Sequence, residues 1–254
     1  MAEDIELNQQ IVRHIIESWG CEVTLAPNGH EAVKKLQQAD YDLILMDIQM
    51  PEMDGVQATL AIRSLPDALK AAIPIVAFTA HTLKQDSAKY IAAGMNDYLS
   101  KPFEEEKLYE MIARHLLPFG AQVAGSLPEE APDVPDAPAA EKLFDLSLIE
   151  AISGGDKDFI RQMIDLFIET VPANVQEMND CLARENWDGV NKVAHKLKSI
   201  LDSMGINSVK QDVRTLEMLA KNRQDLSQLP ALAGKVTATV QTCVLQLEKE
   251  MVAL

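Results

Sequence analysis

The segment 118–142, PFGAQVAGSLPEEAPDVPDAPAAEK, decides how this chain can fold. It holds five prolines and five acidic residues among alanines. Proline removes backbone donors, and acids and alanines offer no apolar face to bury, so the segment cannot join a packed core. It reads as a linker. Cut there, the 254-residue chain becomes two parts, each large enough for its own core. If the linker is flexible, its length gives a root-mean-square span of about 25–30 Å, enough for two small domains to meet or separate.

The two parts carry different periodicities. In 1–117, short apolar runs (23–26, 43–46, 73–78 and 97–99) alternate with amphipathic stretches (7–19, 29–38, 55–64, 83–93 and 104–117). Nearly continuous apolar strands alternating with helices argue for an α/β domain built on a parallel sheet covered on both faces. In such folds ligands sit at the carboxyl ends of the strands. In 143–254 helical periodicity dominates, with N-cap candidates at Asp145 and Asp156 and glycines at 154, 155 and 205 as punctuation. The expectation is a short helix, then four longer ones near 156–183, 186–203, 206–222 and 226–252, packed as an all-α antiparallel bundle.

Net charge is −16, spread over both parts and the linker. No segment forms the basic patch that phosphate backbones require, so nucleic acid is not an expected partner. The cysteines at 21, 181 and 243 include no CxxC pair, which fits a reducing compartment. The apolar runs are too short to span a bilayer, and Met1-Ala2-Glu3-Asp4 has no signal-peptide pattern. A cytoplasmic setting is the default, with no membrane insertion in this chain, either free or as the cytoplasmic part of a membrane-anchored one.

In the first part, LILMDIQMPEMDG (43–55) puts Asp47 at the mouth of a buried strand. Most such acids are helix caps or turn residues. Here Glu3-Asp4 precedes the first helix, Thr79 ends the run IPIVAF, and Lys101 ends the last strand. Parallel strands bring all of them to one edge. A carboxylate can attack a phosphoryl group, grouped carboxylates favour Mg²⁺, and a lysine and a hydroxyl can hold phosphoryl oxygens.

With the motifs ED, MDIQMPEMDG, FTA and KPF in this order, residues 1–117 resemble a two-component receiver domain. The resemblance implies a doubly wound, flavodoxin-like fold with five parallel strands in the order 2-1-3-4-5. It implies that Asp47 accepts the phosphoryl group. Asp4, Asp47 and the Gln49 carbonyl would bind Mg²⁺, with Glu3 acting through water. Thr79 would bind the phosphoryl group and Lys101 would pair with it. Tyr98 matches the aromatic whose rotation follows Thr79. Ile5 stands where the family usually has Asn. Only Met1-Ala2 precedes Glu3, so the family's first strand is expected to be truncated. Losing three or four buried aliphatic side chains would remove roughly 5–12 kcal/mol, which would leave this half marginally stable.

In the second part, NKVAHKLKSILDSMG (191–205) places His195 and Lys198 on one helix face, with Val193, Leu197 and Leu201 facing the core. A lone His-Lys pair is usually plain surface. This segment, however, resembles the histidine phosphotransfer motif A-H-x-L-K-G-S…G, with Ser199 for the usual glycine. The resemblance implies that His195 carries phosphate, that Lys198 offsets its charge, and that Ser199 is small enough for a receiver to approach. The remaining histidines (14, 30, 81 and 115) read as surface or packing residues.

The expected organisation is a receiver (1–117), a linker (118–142) and a histidine phosphotransfer domain (143–254), as at the C-terminal end of a hybrid sensor histidine kinase. No ATP-binding kinase core is visible. The expected partners are a histidine kinase core as phosphodonor and a downstream response-regulator receiver as acceptor. A phosphatase using Asp47 is disfavoured because Gln49 stands where a second acid is needed. A phosphate-independent scaffold or inhibitor of a kinase or regulator is the alternative.

Overall fold

A computed structural model describes residues 1–79, 84–101, 103–116 and 142–253, without the side chains of 84–87 and 253. The linker reading of 118–141, His81 and Pro102 lie outside the described residues. Along the chain run α1 (Glu6–Ser18), α2 (Gly29–Gln38), β1 (Ile44–Asp47), α3 (Gly55–Arg63), α4 (Ala68–Ala71), β2 (Ile75–Thr79), α5 (Lys84–Ala92), β3 (Asp97–Ser100) and α6 (Glu105–Leu116). Then follow α7 (Ser147–Ser153), α8 (Lys157–Ala183), α9 (Trp187–Ser203), α10 (Lys210–Asn222) and α11 (Leu229–Ala253). Contacts group the chain into two units, Met1–Asp4 with Val23–Glu141, and Ile5–Glu22 with Lys142–Leu254.

The first unit is α/β, as its alternation requires. Its three strands are parallel in the order β1-β2-β3. Every residue of β1 and β2 is buried, which suits a sheet covered on both faces. Ala2 extends the sheet with parallel bridges to both Ala26 and Met46. The Ala2 N–H donates to Leu45 O at 2.8 Å, and the Ala26 N–H to Met1 O at 2.8 Å. The strand order therefore agrees with 2-1-3-4-5. Residues 23–26, expected as a full strand, contribute only the bridge at Ala26, because their neighbour in the sheet is the stretch Met1–Glu3.

Two local devices set the loop after β1. A Cβ on Gly55 would lie 2.1 Å from the Asp47 carbonyl oxygen, so only glycine permits this close approach. The Gly55 N–H donates to Ile48 O at 3.0 Å. Asp54 then starts α3 with a capping box, accepting from the Gln57 N–H at 2.7 Å while Gln57 accepts from the Asp54 N–H at 3.1 Å. The short α4 was not expected from periodicity. It is a single turn capped by Asp67.

The second unit is helical. Asp156 caps α8 and Asn186 caps α9. Buried Phe167, Val171, Met178, Leu197, Leu216, Val236 and Leu247 form part of its core. Gly205 ends the α9 region at φ +62°, where a Cβ would meet the Asp145 backbone at 2.5 Å. Helix α10 begins at Lys210, later than the expected 206, after the buried residues Ile206 and Val209.

Helix α1 belongs to this unit, packing among α7, α8 and α9. Its buried residues Leu7, Asn8, Ile11, Val12, Ile15 and Ile16 span about half the helix circumference, wider than a single-sided amphipathic stripe. No helix among the described residues is long and apolar enough to cross a membrane.

Candidate functional site

The first candidate site lies at the carboxyl ends of the parallel strands. Register places Asp47 opposite Phe78 and Thr79 opposite Ser100. The Asp47 N–H donates to Ala2 O at 2.9 Å, which brings Glu3 beside Asp47. The Lys101 N–H donates to Thr79 O at 2.8 Å. Four residues from separate stretches therefore converge: Glu3, Asp47 and Thr79, all buried, and Lys101. The Lys101 ammonium donates to Asp47 Oδ2 at 2.8 Å and also bonds the Glu3 carboxylate. Burial alone would lower the Lys101 pKa, but the charges of Asp47 and Glu3, and hydrogen bonds to both, raise it above its ordinary value. Lys101 is thus held as a cation against the site.

Carboxylate oxygens of Glu3, Asp4 and Asp47 lie within 4.8 Å of one another. Such a hard, anionic oxygen set suits Mg²⁺, which takes few protein carboxylates and keeps waters. The Gln49 N–H donates to Asp47 Oδ1 at 3.1 Å, fixing that carboxylate. The Thr79 hydroxyl lies 3.4 Å from the Tyr90 hydroxyl. Tyr98, which the receiver resemblance makes the aromatic whose rotation follows Thr79, sits on β3 and is 40% exposed.

The second candidate site is on α9 and α10. His195 and Lys198 are linked through a residue that sequence reasoning missed, Glu217. His195 Nδ1 is 2.6 Å from Glu217 Oε1, and Lys198 Nζ donates to Glu217 Oε2 at 2.6 Å. Asn191 donates to the Glu217 backbone carbonyl at 2.9 Å, clamping the two helices at this point. Lys198 is 5% exposed and Glu217 8%. Burial works to raise the Glu217 pKa, but hydrogen bonds from His195 and Lys198 and their charges outweigh it, leaving it at about 2. A signal for Glu217 does exist in the sequence. It falls on the stripe Val213, Leu216, Ala220 of α10, and an acid on a core-facing stripe needs a buried partner.

Other histidines are placed as packing or surface groups. His14 stacks on Phe159 with ring centroids 3.9 Å apart. His115 Nε2 is 3.5 Å from Asp97 Oδ2, and His30 is exposed.

The family description "Response regulator receiver domain" matches residues 1–113, and "Hpt domain" matches residues 162–253. The signal transduction histidine-protein kinase BarA of Shigella flexneri is 33% identical over 215 residues, covering 85% of this chain and 23% of the relative. The sensor protein GacS of Pseudomonas syringae pv. syringae is 27% identical over 220 residues, 86% of this chain and 24% of the relative. The chain therefore spans about a quarter of the length of these curated relatives. Among solved structures, the receiver domain of sensor histidine kinase PA1611 from Pseudomonas aeruginosa, with a magnesium ion coordinated in its active site cleft, is 38% identical. It covers 45% of this chain and 93% of its own, with a TM-score of 0.42. The two matches lie on one chain, and the alignments to histidine kinases run across both. The chain belongs to the two-component phosphorelay proteins that join a response regulator receiver domain to an Hpt domain.

Proposed function

We propose that this chain relays a phosphoryl group, received on Asp47 from a histidine kinase core and passed through His195 to a downstream response-regulator receiver. The working boundaries are a receiver at 1–117, a linker at 118–142 and a phosphotransfer domain at 143–254, forming the C-terminal part of a hybrid sensor kinase.

At Asp47, a carboxylate oxygen attacks the phosphorus of a phosphohistidine. The P–N bond breaks and the imidazole leaves with its electron pair. Lys101, already cationic and bonded to Asp47, offsets charge on the phosphoryl oxygens, and the Thr79 hydroxyl is placed to bond one of them. Asp4, Asp47 and the Gln49 carbonyl, with Glu3 through water, are the groups that would hold Mg²⁺, whose charge screens repulsion between nucleophile and phosphoryl oxygens. Tyr98 is assigned the switch role that follows Thr79.

At His195 the observation that carries the proposal is the Glu217 bond to Nδ1. A carboxylate held at a pKa of about 2 is ionised at neutral pH and can only accept, so Nδ1 carries the proton. The lone pair is left on Nε2, which makes Nε2 the nucleophile. It attacks the aspartyl phosphate, the P–O bond breaks, and the Asp47 carboxylate is restored. Glu217 then balances the cationic phospho-imidazole, and Lys198 is held beside it.

Phosphotransfer from a radiolabelled phospho-receiver donor tests this in wild type, Asp47→Ala and His195→Ala. The expected result is acid-labile, base-stable label that is lost only in His195→Ala. Folded protein with no label on any variant would instead promote the scaffold reading.

A further inference from the structure

Tyr90 brings a second hydroxyl to the strand-end site, and phosphoryl acceptance as derived above does not use it. It lies on α5, 7% exposed, in the apolar cluster that holds Ile62, Ile75, Ala77 and Met95. Burying a phenol there is costly unless its hydroxyl is hydrogen-bonded. That hydroxyl lies 3.4 Å from Thr79 Oγ1, and Thr79 is also buried. Either oxygen could give the proton, but a phenol is the stronger donor, and a threonine hydroxyl has a single proton to place. With Tyr90 donating, the Thr79 proton points elsewhere. Thr79 ends β2, and its carbonyl accepts from the N–H of Lys101, whose ammonium bonds Asp47. The Thr79 hydroxyl therefore stands between a buried donor on α5 and the residues that meet at Asp47.

We propose that Tyr90 is a positioning residue for phosphoryl acceptance at Asp47: its phenol donates to Thr79 Oγ1 and so turns the Thr79 proton toward a phosphoryl oxygen. Two hydroxyls in line polarise one another, so the bond from Thr79 strengthens as negative charge gathers on that oxygen. No proton changes owner, and Tyr90 acts only through Thr79. The inference rests on the reading of Asp47 as the phosphoryl acceptor and adds a residue of α5 to it.

A double-mutant cycle in the full chain tests it. All variants carry His195→Ala, so that label stays on Asp47, and base-labile label is followed with radiolabelled acetyl phosphate and Mg²⁺. Tyr90→Phe removes the hydroxyl and keeps the ring in the core. It should slow labelling about three- to fivefold, the effect of one lost hydrogen bond of modest net strength. In a Thr79→Val background, which has no hydroxyl to orient, Tyr90→Phe should change the rate less than about twofold, since the two substitutions remove one shared interaction. In a Thr79→Ser background the hydroxyl is kept, and the dependence on Tyr90 should return. A packing role for the Tyr90 hydroxyl would slow labelling by the same factor in all three backgrounds. That result, or labelling that proceeds unchanged or faster in Tyr90→Phe, overturns the Tyr90 inference alone. Folded protein that takes no label on Asp47 even with Thr79 and Tyr90 intact sinks the phosphoryl-acceptance reading and this inference with it.

Discussion

Replacing Glu217 is the most demanding test of the helical site, because one carboxylate serves two cations there. Its oxygens bond His195 Nδ1 and Lys198 Nζ, each at 2.6 Å. In Glu217→Ala the Lys198 ammonium, 5% exposed, loses that bond while still buried. Removing one partner of a buried pair costs about 3–5 kcal/mol. Glu217→Gln keeps an acceptor for only one of the two donors and loses the charge, so about 1.5–3 kcal/mol is expected. The pH dependence follows from the depressed carboxyl. Its pKa falls from 4.5 to about 2 on folding, which corresponds to about 3 kcal/mol. That contribution is fully present above about pH 4.5 and is lost as pH falls through about 2. Urea unfolding read by Trp187 fluorescence, in a Trp19→Phe background, measures it, since Trp187 opens α9. The gap between wild type and Glu217→Ala should be widest at neutral pH and close on acidification. A gap below about 1 kcal/mol at pH 7, or one that does not narrow in acid, would refute the reasoning.

Two further perturbations address the receiver site. Gly55→Ala sets a Cβ 2.1 Å from the Asp47 carbonyl, and overpacking of this kind costs about 1–3 kcal/mol. Faster hydrogen exchange in β1 and slower phosphoryl acceptance at Asp47 are expected, and an unchanged acceptance rate would count against the tight approach. Lys101→Ala leaves the Glu3 and Asp47 carboxylates close together without the ammonium that bonds both. It should lower the melting temperature of the receiver half, and added Mg²⁺ should restore more of it than in wild type. A melting temperature indifferent to both changes would remove Lys101 from the site.

How much of this was legible in the sequence depended on whether the signal was local. Strands β1 and β2 are buried on both faces, so their apolar runs stood out, and the helices came within a few residues of their periodic stretches. The convergence of Glu3, Asp47, Thr79 and Lys101 followed from parallel topology, because each ends or follows a strand. The partner of His195 was not legible. The place of Glu217 on the core-facing stripe of α10 marks it as a buried acid, but it lies 22 residues from His195 on another helix, and no local spacing ties it to a histidine on α9. The deciding information is a tertiary contact that the one-dimensional pattern does not carry.

The central claim is that His195 carries the phosphoryl group on Nε2 because Glu217 holds the proton on Nδ1. Phosphorus–nitrogen correlation by NMR on the phosphorylated chain, with ¹⁵N-labelled histidine, tests it most directly. The account predicts one phosphohistidine, at His195, with phosphorus bonded to Nε2 and Nδ1 still protonated. Phosphorus on Nδ1, or a chain that takes phosphate on Asp47 but never on His195, would contradict it.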